Sequence, residues 1–200
     1  MIRALLGSGW TRVVAAPLAL IFFGLGFWFL GGGLYIAAKA EVAQILLERA
    51  FDKTLETGEN QKPWGWADTW PVAKISFPAL GKEAIVLDKT SGQALAFGPG
   101  LMPGLSEIGH PGTAIIAAHN DTHFAFLEDI KIGQTFEVQT WEGAVLEFEV
   151  VALVVIDTRK PLTLEYRGIS HLILSTCFPF KALASQTPFR FLVTSRLVLN

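Results

Sequence analysis

Residues 171–177 have the sequence His171-Leu172-Ile173-Leu174-Ser175-Thr176-Cys177, a short apolar run that ends in the only cysteine of the 200-residue chain. Phe178-Pro179 follows directly, and an apolar run bounded in this way is typical of a buried β-strand. Cys177 is therefore predicted at a strand end, where a thiol is packed on one side and open on the other. Such a thiol is nucleophilic when a neighbouring group stabilises the thiolate. Most free cysteines are instead small buried hydrophobes, so the neighbouring residues must decide between the two interpretations.

Two further predicted strands carry an ionisable side chain at one end. His119 follows the apolar run Thr113–Ala118, and Arg190 precedes the apolar run Phe191–Leu199. An imidazole exchanges protons with a thiol and protonates a leaving amine, and a guanidinium stabilises a developing oxyanion. If the three strands are neighbours, thiol, imidazole and guanidinium meet at one end of the sheet.

Each of these residues has a rival interpretation. His119 alone fits a turn cap next to Asn120 and Asp121. Arg196 shares strand parity with Arg190, but Arg190 follows the long connection 178–189 and so begins its strand at the end where Cys177 finishes. The two connections that flank the Cys177 strand, 157–170 and 178–189, are predicted to shape a groove for substrate.

The remaining pattern from Pro71 onward predicts a mainly β fold. Short β runs alternate with turn residues, as in a closed antiparallel β-barrel with one or two short helices, and only Phe124–Ile130 has helical character. The predicted strands are Val72–Phe77, Ala84–Asp88, Thr113–Ala118, Thr135–Thr140, Val145–Ile156, His171–Cys177 and Phe191–Leu199. The aromatic cluster Trp64–Trp70 is interpreted as packing at the edge of this barrel.

The N-terminal part differs in composition. Residues 13–38 contain no acidic or basic side chain and are long enough to cross a bilayer, which predicts a transmembrane helix. A cleaved signal peptide is the alternative, because Ala38-Lys39-Ala40 resembles a cleavage site. The predicted organisation is a cytoplasmic tail at 1–12, the transmembrane helix at 13–38, a helical stalk and linker at 39–63, and the β-barrel at 64–200.

Composition excludes several classes of partner. The formal net charge is −2, and no basic run is present, so nucleic acid is not an expected partner. One cysteine excludes an internal disulfide. His119 and His123 have a His-x3-His spacing, but a strand followed by an Asn-Asp turn does not place both on one helix face, so no metal and no cofactor are predicted.

At this point the motifs resemble those of the sortase family. Leu174-Ser175-Thr176-Cys177 is similar to the end of the sortase signature Thr-Leu-x-Thr-Cys, and His119-Asn120-Asp121-Thr122 is similar to the segment Gly-His-Arg-Asp-Thr. Arg190 matches the position of the sortase arginine, and the resemblance covers most of Trp70–Val198. Asp121–Phe124 and Cys177–Phe180 are most similar to the Gram-negative group of sortases.

The resemblance implies a function. The chain would be a membrane-anchored cysteine transpeptidase that cleaves a C-terminal sorting motif of a secreted protein through a thioacyl-enzyme and transfers it to an amine acceptor. It implies that Cys177 is the nucleophile, His119 the acid/base and Arg190 the clamp for substrate and oxyanion, with Thr176, Phe178 and Pro179 as substrate-binding residues. The expected location is the inner membrane, with a single pass and the barrel facing the periplasm.

Three departures from the family pattern concern residues next to the reacting groups. Ile173 replaces a threonine, Ala118 replaces the glycine before the histidine, and Asn120 replaces the arginine after it. They leave the substrate motif open. Two other functions stay open as well: a thiol peptidase or amidase that releases product to water, and a non-catalytic membrane-tethered binding barrel.

Overall fold

The structure is a computed structural model that describes residues 9–161, 169–181 and 187–199. The chain divides into two compact units, Met1–Val42 and Ala43–Asn200. The described residues of the first unit form the first part of helix α1, Gly9–Thr57. Over the described residues, no helix combines the length and the apolar character that crossing a membrane requires. The tail predicted at 1–12 lies outside the described residues up to position 8.

The last turns of α1 are part of the second unit. After Val42 the side chains that recur at helical spacing are buried, among them Leu47 at 0% and Phe51 at 1% exposure. They pack against Ile85 and Leu87 of the barrel in an apolar cluster. Burying two such side chains contributes about 3–6 kcal/mol. This part of the helix is therefore a layer of the barrel unit and not a free stalk.

The described part of the second unit contains eight strands that close into a barrel in the order β1-β2-β3-β4-β7-β8-β6-β5. Their bounds are β1 Pro71–Phe77, β2 Lys82–Leu87, β3 Gly100–Leu101, β4 Gly112–Ala117, β5 Thr135–Thr140, β6 Val145–Asp157, β7 Ser170–Cys177 and β8 Phe189–Leu197. The predicted mainly β, closed-barrel fold is confirmed. Seven of these eight described strands lie within two residues of their predicted bounds at both ends, and β3 was not predicted.

The prediction of a wholly antiparallel barrel is wrong at two pairings. β2 pairs with β3 in parallel, and β4 pairs with β7 in parallel over six residues, from Gly112↔Ser170 to Ala117↔Ser175. The chain forms the β5–β6 hairpin between β4 and β7 and then crosses back, so β7 runs in the same direction as β4. As a consequence, the carboxyl ends of β4 and β7 lie at the same end of the barrel.

Aromatic side chains fill the centre of the barrel. Phe136 stacks on Phe148 with ring centroids 5.8 Å apart, and Phe77 stacks on Phe136 at 4.8 Å. Leu172 and Leu174, two residues apart on β7, belong to the same apolar cluster as these phenylalanines, so both side chains face the inside of the barrel. The alternate residues of β7 therefore face outward.

Short helical turns connect the strands. The helix predicted at Phe124–Ile130 is a 3₁₀ helix over Ala125–Asp129, with Leu127 buried. A second 3₁₀ turn spans Pro78–Leu80, and α2 spans Gly92–Leu95, whose Ala94 N–H donates to the Ser91 hydroxyl at 3.1 Å. The first tryptophan of the predicted aromatic cluster, Trp64, packs edge-on against Phe97 at 4.9 Å, which agrees with its interpretation as packing.

Candidate active site

Cys177 lies at the carboxyl end of β7 and is half-buried. The preceding residues His171–Leu174 are all buried, as the apolar run predicts for a strand covered on both faces. Since Leu172 and Leu174 face the core, Cys177 has the parity of the outer face. The thiol is therefore on the outside of the barrel, at one end of it.

Arg190 is the direct cross-strand partner of Cys177 in the antiparallel pair β7–β8. The next pair along, Phe178 and Phe189, is joined by a main-chain bond of 3.2 Å from Phe178 N. Cys177 and Arg190 therefore form a non-hydrogen-bonded pair, in which side chains lie closest and Cα atoms are about 4.5 Å apart. The prediction that these two residues lie together at one end of the sheet agrees with this register.

His119 approaches Cys177 from the other side. The parallel ladder of β4 and β7 ends at Ala117↔Ser175, and Ala118 N still donates to Ser175 O at 3.1 Å. Continued by two residues, this register places His119 alongside Cys177, one strand spacing or about 4.8 Å away. His119 also has outer-face parity, because Ala118 belongs to the core cluster. The imidazole is exposed.

The guanidinium of Arg190 is hydrogen-bonded to main-chain carbonyls of residues just before it in the chain. Nη1 donates to Thr187 O at 2.7 Å and to Phe189 O at 2.8 Å. Among the described residues, the other N–H groups of this guanidinium have no hydrogen-bond or ion-pair partner. They are the donors that an anionic oxygen at Cys177 would need.

Arg196, the alternative to Arg190, lies at the opposite end of the same strand, β8. Arg196 pairs in register with His171 and forms an ion pair with Glu149 at 2.9 Å. Both residues share the outer face with Cys177, as predicted, but they stand six positions from it, about 20 Å along the strand. This placement favours Arg190 over Arg196 as the residue that acts with the thiol.

The predicted substrate-binding residues have different surroundings. Thr176 is 2% exposed, and its hydroxyl donates to Ala118 O at 2.7 Å, so this side chain points into the barrel and not toward a ligand. Phe178 is half-buried and stacks on Phe191 with centroids 6.4 Å apart. Pro179 is exposed and follows a cis peptide bond. Only the last two are placed to touch a substrate.

His123 lies close to His119 and was considered only as a metal ligand in the sequence. Burial lowers the pKa of His123 from its ordinary value, and repulsion by the neighbouring His119 lowers it further. A neutral His123 keeps a second positive charge away from the His119 imidazole. Over 9–161, 169–181 and 187–199, no three His, Cys, Asp or Glu side chains form a metal-binding group.

A cavity of about 430 Å³ opens beside Phe189, the first residue of β8, on the β6 side. It is lined by Val155, Ile156, Asp157, Lys160, Pro161 and Phe189. Ile156 is the register partner of Arg190 on β6. The connection 157–170 begins at this cavity and ends at the far end of β7, whereas the connection 178–189 begins and ends beside Cys177 and Arg190. Their central parts, 162–168 and 182–186, lie outside the described residues.

Two polar residues near the site were not singled out as functional by the sequence. Thr187 donates its hydroxyl to Phe178 O and accepts the Phe189 N–H at 3.1 Å, which fixes the entry to β8. Asn120 donates from Nδ2 to Pro179 O at 3.0 Å, across 59 residues of sequence. A Thr-x-Phe or His-Asn pair is common in sequences, so no local signal distinguishes these residues.

Comparison with known families agrees with this geometry. The model of the sortase domain matches residues 75–198. The chain therefore belongs to the sortase family, which consists of cysteine transpeptidases that act on proteins bearing sorting signals and on amine acceptors. A search of curated proteins finds no significant match.

Solved sortase structures share the fold. Sortase A from Corynebacterium diphtheriae superposes with a TM-score of 0.59 at 20% identity, covering 82% of this chain and 86% of that one. Sortase C-1 from Actinomyces oris gives a TM-score of 0.55 at 26% identity, covering 65% and 75%. Sortase C from Streptococcus pneumoniae gives 0.58 at 20% identity, covering 78% and 90%.

Proposed function

We propose that this chain is a membrane-anchored sortase of the Gram-negative group that cleaves a C-terminal sorting motif of a secreted protein and transfers the new carboxyl end to an amine. The observation that carries the proposal is that Cys177 on β7 is the register partner of Arg190 on β8, while His119 lies two residues past the end of β4, the other neighbour of β7. The motifs Asp121–Phe124 and Cys177–Phe180 support the Gram-negative group.

The reaction has two acyl transfers. The Cys177 thiolate attacks the scissile carbonyl, a C–S bond forms, and the oxygen becomes an oxyanion that the remaining N–H groups of Arg190, beyond those that bond Thr187 and Phe189, stabilise. The C–N bond then breaks, and the His119 imidazolium gives its proton to the leaving amine. The thioester keeps the energy of the cleaved peptide bond available for the second transfer.

The second transfer reverses these roles. The acceptor amine attacks the thioester carbonyl, His119 takes the proton that the amine loses, and the C–S bond breaks to restore the Cys177 thiolate. Phe178 and Pro179, which leave β7 directly after the thiol, and the cavity beside Ile156 are proposed to hold the acyl-side residues of the motif. Thr176 supports the site from the core side and does not contact substrate.

We also propose that residues 13–38 anchor the chain in the inner membrane with the barrel in the periplasm. The sequence of this segment is apolar throughout, and large apolar side chains of α1 are exposed, such as Phe23 and Phe27, both at 82%. Carbonate extraction of membranes should leave the chain in the pellet. Protease added to intact spheroplasts should remove the barrel, and protection of the barrel would overturn the orientation.

The transpeptidase proposal is tested by mass spectrometry of Cys177. The detergent-solubilised full chain is incubated with membrane proteins from its own source without added amine, in parallel with His119→Ala. We expect an acyl adduct on Cys177 that is absent in His119→Ala and that moves to a primary amine added later. Hydrolysis unaffected by amine would identify a thiol peptidase, and a folded, alkylatable Cys177 without adduct would favour a binding barrel.

A further inference from the structure

The parallel ladder that brings β4 to β7 ends before it reaches the imidazole. Its last main-chain bond is Ala118 N to Ser175 O at 3.1 Å. Beyond it, in the part of the chain that the structure describes, no main-chain hydrogen bond joins residues 119–123 to the segment that follows Cys177. The main-chain bonds of this turn are internal, such as Phe124 N to His119 O at 3.0 Å.

A side chain replaces the missing ladder bond. Asn120, the residue directly after His119, donates from Nδ2 to the carbonyl of Pro179, two residues after Cys177, at 3.0 Å. We propose that Asn120 is a positioning residue that holds the His119 turn against the exit of β7 and so fixes the distance between imidazole and thiol. The inference rests on the proposed cysteine chemistry of this site and deepens it.

Chemistry favours an amide for this task. The Asn120 amide is neutral, so it forms the bond without adding charge next to an imidazole that must gain and lose a proton. A displacement of about 1 Å between reacting groups is enough to slow a reaction roughly 100-fold. A single hydrogen bond on the surface contributes little to global stability, so its loss should be visible in catalysis and not in folding.

The structure also provides a matched control. A second polar contact joins the exit of β7 to the 3₁₀ helix that follows the His119 turn, the ion pair of Lys181 Nζ and Glu128 Oε2 at 2.6 Å. Its side chains are 82% and 41% exposed, and Glu128 lies nine positions after His119. Lys181→Ala therefore removes a link between the segments without releasing the residue next to the imidazole.

The experiment measures the rate at which iodoacetamide alkylates Cys177 in the full chain, as a function of pH, for wild type, Asn120→Ala, Asn120→Gln, Lys181→Ala and His119→Ala. The His119→Ala profile gives the reactivity of the thiol without its neighbouring imidazole. We expect the Asn120→Ala profile to move toward that of His119→Ala, the Asn120→Gln profile to recover part of the shift, and Lys181→Ala to follow wild type.

Turnover gives the second readout. With a peptide substrate, kcat of Asn120→Ala should fall about 10- to 100-fold while KM changes less than about twofold. If folded Asn120→Ala has the alkylation profile and the kcat of wild type, the proposal is overturned. If the alkylation profile of Lys181→Ala shifts as far as that of Asn120→Ala, the effect comes from any loss of contact between the segments and not from Asn120, which also overturns the proposal. If Asn120→Ala does not fold, Asn120→Ser takes its place. Alkylation needs no substrate, so it tests the positioning role even where the transpeptidase proposal fails.

Discussion

Thr176→Val should lower the free energy of unfolding by about 1–3 kcal/mol, because it leaves a buried carbonyl without its donor. Thr176 is 2% exposed, and its hydroxyl donates to Ala118 O at 2.7 Å. No main-chain N–H among the described residues reaches that carbonyl, since Ala118 lies just past the end of β4. Valine keeps the shape and the β-branch of threonine, so lost packing adds little.

The chain contains a matched control for this substitution. Thr140 is also a buried strand threonine, at 7% exposure, but its hydroxyl has no hydrogen-bond partner among the described residues. Thr140→Val removes an unpaired buried hydroxyl and should leave stability within about 0.5 kcal/mol of wild type or raise it. The same substitution of threonine by valine is thus expected to lower stability at position 176 and not at position 140.

The assay is urea unfolding of the full chain followed by tryptophan fluorescence. A change in the midpoint at unchanged slope measures the difference in stability. In thermal unfolding, the expected loss for Thr176→Val corresponds to about 2–12 °C in Tm for a domain of this size. Equal losses in Thr176→Val and Thr140→Val would refute the reasoning, because the hydrogen bond to Ala118 would then contribute nothing.

Three further predictions concern the site and its frame. Arg190→Lys should lower kcat/KM about 10²- to 10³-fold, because an ammonium group cannot both bond the Thr187 carbonyl and present a planar row of donors to the oxyanion. Arg196→Lys, the control, should change kcat/KM less than about threefold. Equal effects of the two substitutions in a peptide-cleavage assay would contradict the assignment of Arg190. Burial and the neighbouring His119 lower the pKa of His123, so the folded chain protonates this imidazole at lower pH than the unfolded chain does, and stability is lost as pH falls below about 6.5. His123→Gln should therefore flatten the dependence of Tm on pH below about 6.5. An unchanged slope in this variant would count against the lowered pKa. Gly100→Ala should destabilise the barrel by about 1–3 kcal/mol in urea unfolding, because a Cβ at Gly100 would collide with the main-chain carbonyl of Lys89. A neutral effect would show that the segment after β2 moves away from β3 easily.

The sequence was sufficient for the strand that carries the thiol. The five residues before Ser175 are all buried, as in a strand covered on both faces, and the same reasoning located β4 and β8 to within two residues of their ends. The parity argument also placed Arg190 and Arg196 on one face correctly. These features depend on local periodicity, which a single sequence contains.

Other features depend on contacts between distant residues. The parallel pairing of β4 with β7 follows from strand order, which no local pattern encodes, and β3 has only two residues, Gly100–Leu101, too few for any periodicity. The bond from Asn120 to Pro179 spans 59 residues. Thr176 was predicted to bind substrate from its place in a motif, but its strand parity turns it toward the core.

The parallel pairing of β4 with β7 has a consequence for how the protein acquires reactivity during folding. Local hairpins such as β5–β6 form within a short stretch of chain, but Gly112 meets Ser170 only when the intervening segment has folded back. Until that contact forms, nothing holds His119 and Cys177 on neighbouring strands. The proposed pair of thiol and imidazole is therefore assembled only when the barrel closes, so the site forms late in folding.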